Sequence, residues 1–421
     1  MSVGVPTTRR LWRDRRFVTF WLGEGVSTFG DRITELAVPL IAVTTLRATP
    51  AEVGLLVAAV WAPNLVSVIV GAWVERQASK KRLLIVANLI QAAAVVSLPV
   101  AYLVADVTLM QLFVVALVQG FGGVLAHTSS QPFFVRLIPK EAYVDANALL
   151  SGTRSASFIV GPAVGGALIQ AVTAPMAMLV DAVSFCFSAI AIKSVRVDER
   201  RTEPLESGSL LGQVGAGLRG VRGHPYLRPA LACVTTSNFF SYTLNAVLIF
   251  FAVRTLGLTP ALIGLALGIG AIGGLIGAML ARPLGRQIGA GRSIACGAIA
   301  FAAPFALLPL AAGPQVRAVA ILAGVEFVSS AGVMVFDIHL NAVQTVVTPD
   351  TMRSRCTGVF GTINYGVRPL GATLGGLAAG LIGIGPVIIG SAVGGTLAVL
   401  WLVGSPIMRV AKAEDLDLPA A

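Results

Sequence analysis

The chain has 421 residues, 56% of them hydrophobic and only 12% charged, with a mean hydropathy of +0.83. Soluble domains carry about a quarter charged residues, so a water-soluble globular fold is excluded and a multi-pass membrane protein is expected. The net charge of +11 calls for no nucleic acid, because basic residues sorted toward an anionic leaflet account for it.

Runs of about 20 apolar residues, each able to cross a bilayer as a helix, recur at 17–45, 51–74, 83–104, 108–138, 143–171, 175–193, 230–254, 260–281, 292–312, 316–345, 353–382 and 385–408. The 46 glycines and 22 prolines sit inside such runs, which disfavours a β-barrel of short alternating strands. The expected fold is an all-α membrane protein with twelve transmembrane helices. The first span follows "RRLWRDRR"; it is too long for a signal peptide and lacks a small-residue cleavage site, so it is expected to stay as a helix. Most lysines and arginines fall before the first span and on alternate connections after it, leaving Arg47, Arg254 and Arg317 on the opposite side. Both termini are therefore expected in the cytoplasm.

The first span contains "GEGVSTFGDRITELA" at 23–37. Glu24, Asp31 and Glu35 lie within about 20° of one line on a helix, and Asp31 falls near mid-membrane, where a charge facing lipid costs several kcal/mol. The stripe is expected to face a cavity or partners. Glu326 and Asp337 share a face of the tenth span, with His339 and Asn341 nearby, and His127 lies in the fourth. Carboxyl groups held away from water can exchange a proton and a histidine can relay one, so these residues are proton-coupling candidates. Arg32, Arg154 and Arg368 also lie inside spans, where they can neutralise carboxylates or bind an anionic group. For Arg154 and Arg368, which precede two glycine clusters, structural pairing across the halves is the simpler reading, and Asp181 is assigned to the same packing network.

"TPAEVGLL" at 49–56 returns as "TPALIGLA" at 259–266, an offset of 210 residues. The same offset takes Arg76, Gln77 and Arg82 to Arg286, Gln287 and Arg292, Pro139 to Pro349, and Gly161, Gly165 and Gly166 to Gly371, Gly375 and Gly376. Thr49 and Thr259 can cap helices that begin with Pro50 and Pro260. One offset across separate segments argues for a duplicated six-helix unit, with residues 1–193 and 229–421 as the two bundles. The mates of Thr28, Asp31 and Glu35 are Asn238, Ser241 and Asn245, beside Tyr242, so an acidic wall is expected opposite a hydrogen-bonding one.

In the fifth span Pro162 removes a backbone donor and bends the helix, while Gly161, Gly165 and Gly166 give a smooth face. The stretch 194–228 is a charged linker followed by a helix with Leu210, Leu211, Val214, Leu218 and Val221 on one face, expected to lie at the inner membrane surface. Cys186, Cys233, Cys296 and Cys356 are scattered singly and form neither a metal spacing nor a disulfide framework. No phosphate-binding loop of the G-x-x-x-x-G-K-[ST] kind occurs, so ATP coupling is not expected.

Twelve spans in two parallel halves, with "GAWVERQASKKR" between the second and third, resemble the major facilitator superfamily. Gly71, Arg76, Lys80 and Lys81 fit that family's loop signature; Glu75 stands in place of its aspartate, and Ala78 and Ser79 replace glycine and arginine. "SFIVGPAVGG" resembles the helix-five signature of members that export by antiport, with Ser157 where the pattern starts with glycine. "STFGDRITELAVPL", "DANALLSGTRSASFIVGPAVGG" and "DAVSFCFSA" resemble the branch of enterobactin exporters and macrolide-efflux proteins. The resemblance implies a monomeric secondary transporter in the bacterial inner membrane, neither enzyme nor cofactor-dependent. It would export an amphipathic drug, antibiotic or siderophore by proton antiport, rocking around a site between the halves. It also makes the bent fifth helix a gate, and gives Glu75 a salt bridge to Arg353 or Arg355 when the inner mouth closes. An uptake or differently coupled carrier, or a non-transporting scaffold or sensor, are the alternatives.

Overall fold

The computed structural model describes residues 11–197, 210–349 and 352–412. Arg9 and Arg10 of the basic start, and Arg200 and Arg201 of the linker, lie outside the described residues. Among the described residues the chain is helical and contains no strand. The helices are α1 (Arg15–Leu40), α2 (Pro50–Arg76), α3 (Lys80–Val104), α4 (Leu109–Leu137), α5 (Tyr143–Val172), α6 (Ala174–Ser194), α7 (Leu210–Gly223), α8 (Leu227–Arg254), α9 (Pro260–Ile288), α10 (Ala290–Ala311), α11 (Gln315–Val347), α12 (Arg353–Ile382) and α13 (Ile384–Trp401).

Except for α7, each of these occupies an expected span. By length and composition ten can cross a membrane; α1 and α12 are long enough but hold Glu24, Asp31, Arg32 and Glu35, and Arg353, Arg355 and Arg368, in place of apolar residues. Prolines mark the irregular turns. α1 runs past Pro39 into a π-helical turn at Ile41–Thr45, α2 tightens to 3-10 geometry at Ala62–Val66 around Pro63, and α10 does so over Ala303–Ala311 with Pro309 inside. The last span is shorter than the expected 385–408. It ends at Trp401, the chain turns at Gly404 (φ +80°), and a separate 3-10 turn forms at Pro406–Arg409. A left-handed glycine and a proline that cannot donate both stop a helix.

The chain divides into two units, Met1–Ala48 with Ala59–Leu205, and Thr49–Ala58 with Glu206–Ala421. The duplicated register is present in the backbone of both. At the end of α1, Leu46 N–H donates to Ile41 O (3.0 Å) and Ala48 N–H to Ala42 O (2.8 Å); at the end of α8, Leu256 N–H donates to Phe251 O (3.0 Å) and Leu258 N–H to Ala252 O (3.0 Å). Each of these atoms is 210 residues from its mate. The positive-φ residues repeat too, Arg47 (52°) with Gly257 (64°) and Thr173 (81°) with Gly383 (88°). Both expected caps form: Thr49 Oγ1 accepts from Glu52 N–H (3.3 Å) while Glu52 Oε2 accepts from Thr49 N–H (2.7 Å), and Thr259 Oγ1 accepts from Leu262 N–H (3.5 Å).

In the first unit α1 is held on two faces. A Cβ on Gly161 of α5 would collide with the Arg32 side chain, and one on Gly165 would lie 3.4 Å from Ile33 Cα. On the other face Gly30 admits Asp181 and Ser184 of α6. In the second unit, a Cβ on Gly375 would lie 2.7 Å from Thr243 Cα of α8, and Thr243 Oγ1 donates to Gly371 O (3.1 Å). Small residues thus let the same pair of helices approach in each repeat.

Within α7, Val221 is buried in a core with Leu227, Val347 and Cys356. Leu218, placed on the same apolar face by its spacing, is 44% exposed, and the side chains of Leu210, Leu211 and Val214 lie outside the described residues. Cys233 and Cys356 are buried; Cys186 and Cys296 are exposed.

Candidate functional site

The α1 carboxylates are not left as a bare stripe. Glu35 Oε2 accepts from Arg32 Nη1 at 2.6 Å, one turn apart, and Glu24 Oε1 pairs with Arg154 Nη2 of α5 at 3.4 Å. Thr28 Oγ1 donates to Glu24 O (2.7 Å). Asp31 is half-buried, within electrostatic reach of Asp181, Glu35, Arg32 and Glu24. Asp181, at the middle of α6, is fully buried and accepts from Thr34 Oγ1 across the α1–α6 seam and from Ser184 Oγ (3.0 Å) one turn on. Four carboxyl groups therefore lie along the α1–α6 pair, Asp181 fully buried and Glu35 exposed, with Arg32 of α1 and Arg154 of α5 beside them. Asp181 thus takes part in a packing network that includes the acidic stripe; nothing in local spacing reveals that meeting, because it depends on Gly30.

Along the same seam an apolar cavity of about 570 Å³ opens between α1, α5 and α6, lined by Trp21, Val26, Phe29, Ser157, Val160 and Val183. Trp21 Nε1 donates to Thr153 Oγ1 at its edge (2.9 Å).

The second unit answers with a different arrangement. Asn238 Nδ2 donates to Val234 O of its own helix (3.0 Å), Ser241 is half-buried and Asn245 exposed. On α11 Glu326 is half-buried where Gly270 of α9 packs on its Cβ, and Asp337 is exposed. His339 Nε2 is bonded to Ala281 O of α9 (2.8 Å). His127, the repeat mate of Asp337, is exposed on α4.

Two of the embedded arginines, Arg32 and Arg368, sit on rings. Arg32 Cζ lies 5.3 Å from the Phe158 ring centroid, and Arg368 Cζ lies 4.9 Å from that of Tyr242 and 4.5 Å from that of Tyr365. By the 210-residue offset the mate of Arg32 is Tyr242 and the mate of Phe158 is Arg368. Both repeats thus keep a cation over a ring at the same place, with the two partners exchanged between helices. Applying the offset to Arg32 and Arg368 would have found Phe158 in the sequence. Arg154 pairs with Glu24, and Arg368 lies over the two tyrosine rings.

At the α2–α3 turn, Lys80 Nζ donates to Val74 O (2.7 Å), Glu75 O (3.0 Å) and Gln77 O (2.5 Å), closing the end of α2. Lys81 Nζ donates to Lys193 O (2.7 Å) and Val195 O (2.6 Å), tying α3 to the end of α6. Glu75 and Arg76 are exposed, Gly71 is half-buried, and Arg353 Nη2 donates to Thr345 O (3.4 Å). Pro162 is half-buried and Gly166 buried on α5.

The Major Facilitator Superfamily model matches residues 20–372. The chain belongs to the major facilitator superfamily. Among its relatives in that superfamily, the multidrug efflux pump Tap of Mycolicibacterium fortuitum is 24% identical over 365 residues, covering 84% of this chain and 87% of the pump. The uncharacterized MFS-type transporter YfiS of Bacillus subtilis (strain 168) is 26% identical over 230 residues, covering 53% and 54%. The fold of this chain matches that of the nucleoside transporter NupG D323A mutant (TM-score 0.72, 14% identity, 92% and 99% coverage). A bacterial homologue of the lysosomal transporter Spinster, inward-facing and occupied, also matches (0.71, 13%, 99% and 100%). The protein is a multi-pass membrane transporter of the superfamily fold.

Proposed function

We propose that this transporter exports an amphipathic organic compound, of the drug, antibiotic or siderophore kind, across the bacterial inner membrane by proton antiport. It works as a monomer with both termini in the cytoplasm and alternates access between the two sides. The observation that carries the reading is the carboxyl cluster of α1 and α6, where Glu24, Asp31, Glu35 and Asp181 outnumber Arg32 and Arg154. Ionisable groups inside spanning helices are costly and mark ion or proton pathways, and two carboxyls beyond what the arginines balance are the ones that can exchange protons with the cycle. The efflux activity named for the Tap relative, together with Pro162 and the α5 glycines that seat on α1, supports export. In the second unit Glu326 and Asp337 are further candidates for coupling, with His127 as the relay in the first; Asn238, Ser241 and Asn245 supply hydrogen bonds to substrate.

The test is efflux from everted vesicles energised by respiration, with a panel of dyes and antibiotics, comparing wild type, Asp31→Asn and wild type with a protonophore. Efflux is expected to collapse with both treatments. Efflux that survives dissipation of the gradient removes proton coupling, and a wild type that moves no panel compound above background removes the drug-export reading.

A further inference from the structure

The apolar cavity of about 570 Å³ between α1, α5 and α6 is walled by residues of the first unit alone. Its walls are set by close packing. α1 meets α5 where Gly25 faces Thr153 and where Gly161 takes the Arg32 side chain, and it meets α6 where Gly23 lies on Ala191 and Gly30 on Ser184. The space is therefore built into the way the three helices pack, as preformed ligand pockets are.

The lining decides what fits. Among the described residues no charged side chain lines the cavity, while two aromatic ones do, Trp21 and Phe29. Trp21 Nε1 donates to Thr153 Oγ1 (2.9 Å), Thr153 Oγ1 donates to Leu149 O (3.0 Å), and Ser184 Oγ donates to Asp181 Oδ1 (3.0 Å). These donors are spent within the protein, so a charged guest would be stripped of water with little return. The mouth is apolar as well, with Val183 66% and Val160 47% exposed. Pockets of about 300–1,000 Å³ hold small organic molecules, and aromatic pairs gain beyond the area they bury, a gain that a lipid acyl chain does not share. The second unit shows a ring in the corresponding seam. The mates of Gly30 and Ser184 are Phe240 and Gly394, and a Cβ on Gly394 would collide with the Phe240 ring. One repeat brings a ring of its own to these positions, whereas the other keeps a glycine on α1 beside an open cavity.

We propose that the cavity between α1, α5 and α6 is a binding site for the uncharged aromatic part of the exported compound. The inference rests on the export reading and deepens it by giving the apolar body of the substrate a place within the first unit. A ring system held there lies against Ser184, whose hydroxyl is bonded to Asp181, so cargo and carboxyl cluster share a side chain.

The experiment uses benzophenone, an uncharged two-ring ketone that inserts into neighbouring C–H bonds under near-ultraviolet light. The full-length protein in lipid nanodiscs is labelled and the modified residues are found by peptide mass spectrometry. No proton gradient or transport is involved, so the outcome is separate from that of the vesicle assay. Labelling of Val26, Val160 and Val183 is expected to saturate with benzophenone concentration, whereas labelling of Met279, 76% exposed on α9, should rise linearly. Val183→Trp and Ala156→Trp fill the cavity from two different helices. Each is expected to lower saturable labelling at Val26 and Val160 at least about tenfold, because a displaced ring loses the burial that held it. Ile190→Trp, two turns along α6 at a position 67% exposed and outside the cavity, should label as wild type does. Melting temperatures identify variants that fail to fold, and the wild-type curves stand without them: linear labelling at the three valines overturns the proposal. Saturable labelling that survives in both filled variants also overturns it, by placing the site elsewhere. A phospholipid that stays on the purified wild type in native mass spectra, is lost from Val183→Trp and is not displaced by benzophenone overturns it in favour of an acyl chain.

Discussion

Thr173 is the single residue between α5 and α6, and its backbone (φ 81°, ψ 156°) lies in a region that only glycine visits freely. Its repeat mate, between α12 and α13, is Gly383 with φ 88° and ψ 161°. The threonine side chain is exposed and makes no capping hydrogen bond, while the backbone bonds of the junction, Thr173 N–H to Ile169 O (2.9 Å) and Ala177 N–H to Thr173 O (3.0 Å), are available to any residue. Thr173→Gly therefore removes strain and little else. Strain of this kind costs about 1–3 kcal/mol and the extra freedom of an unfolded glycine costs about 0.5–1 kcal/mol, which leaves a net gain between about 0 and 2.5 kcal/mol, centred near 1 kcal/mol. At roughly 2–4 °C per kcal/mol for a unit of about 200 residues, a gain near 1 kcal/mol should raise the melting temperature in detergent by about 2–4 °C. The mirror substitution Gly383→Thr should lower it. A fall on Thr173→Gly together with no change on Gly383→Thr would refute the reasoning, since the two junctions share one backbone geometry.

Two further outcomes follow from particular bonds. Thr34→Val keeps the shape of the α1–α6 seam but removes the hydroxyl that donates to Asp181. It should cost about 1–3 kcal/mol as read from thermal melting, with Thr34→Ser restoring most of it; equal stability of the valine variant would show that Asp181 does not depend on this donor. His224, outside the membrane-spanning segments, accepts through Nδ1 from the N–H groups of Tyr226 (3.3 Å) and Leu227 (3.4 Å) at the start of α8, and burial holds its pKa below the usual value. A depressed pKa means that the neutral ring favours the fold: the contribution is present above about pH 6.5 and lost as pH falls through the lower folded value. His224→Gln, which can still accept, should melt with a shallower decline between about pH 7 and 5 than wild type, and an unchanged slope would exclude the role.

The helices were legible because a bilayer dictates length and apolarity, and the helix starts because Thr49 and Thr259 carry local capping chemistry. The duplication was legible because one offset recurs without a gap. What could not be read is what depends on side chains from different helices meeting. Asp181 joins the acidic stripe only because Gly30 lets α6 close on α1, and the Phe158 ring under Arg32 and the Tyr242 ring under Arg368 come from other helices and are exchanged between repeats. The end of the last span was overestimated because apolar residues continue past Trp401, whereas the backbone is stopped by Gly404 and Pro406. Leu218 fell on a helical stripe with Val221, but packing buries only the latter.

The exchange of arginine and ring between the repeats bears on how the two halves came to differ. Single substitutions can convert an Arg32–Phe158 type of pair into a Tyr242–Arg368 type by only two routes. One passes through facing guanidinium groups, two like charges in a poorly solvated interior; the other passes through facing rings, an attractive contact of about 0.5–1.5 kcal/mol beyond the burial of the rings. The second route keeps every intermediate foldable. The two halves thus share a contact while neither position shares its residue type, and a column-by-column comparison of the halves would score both positions as mismatched.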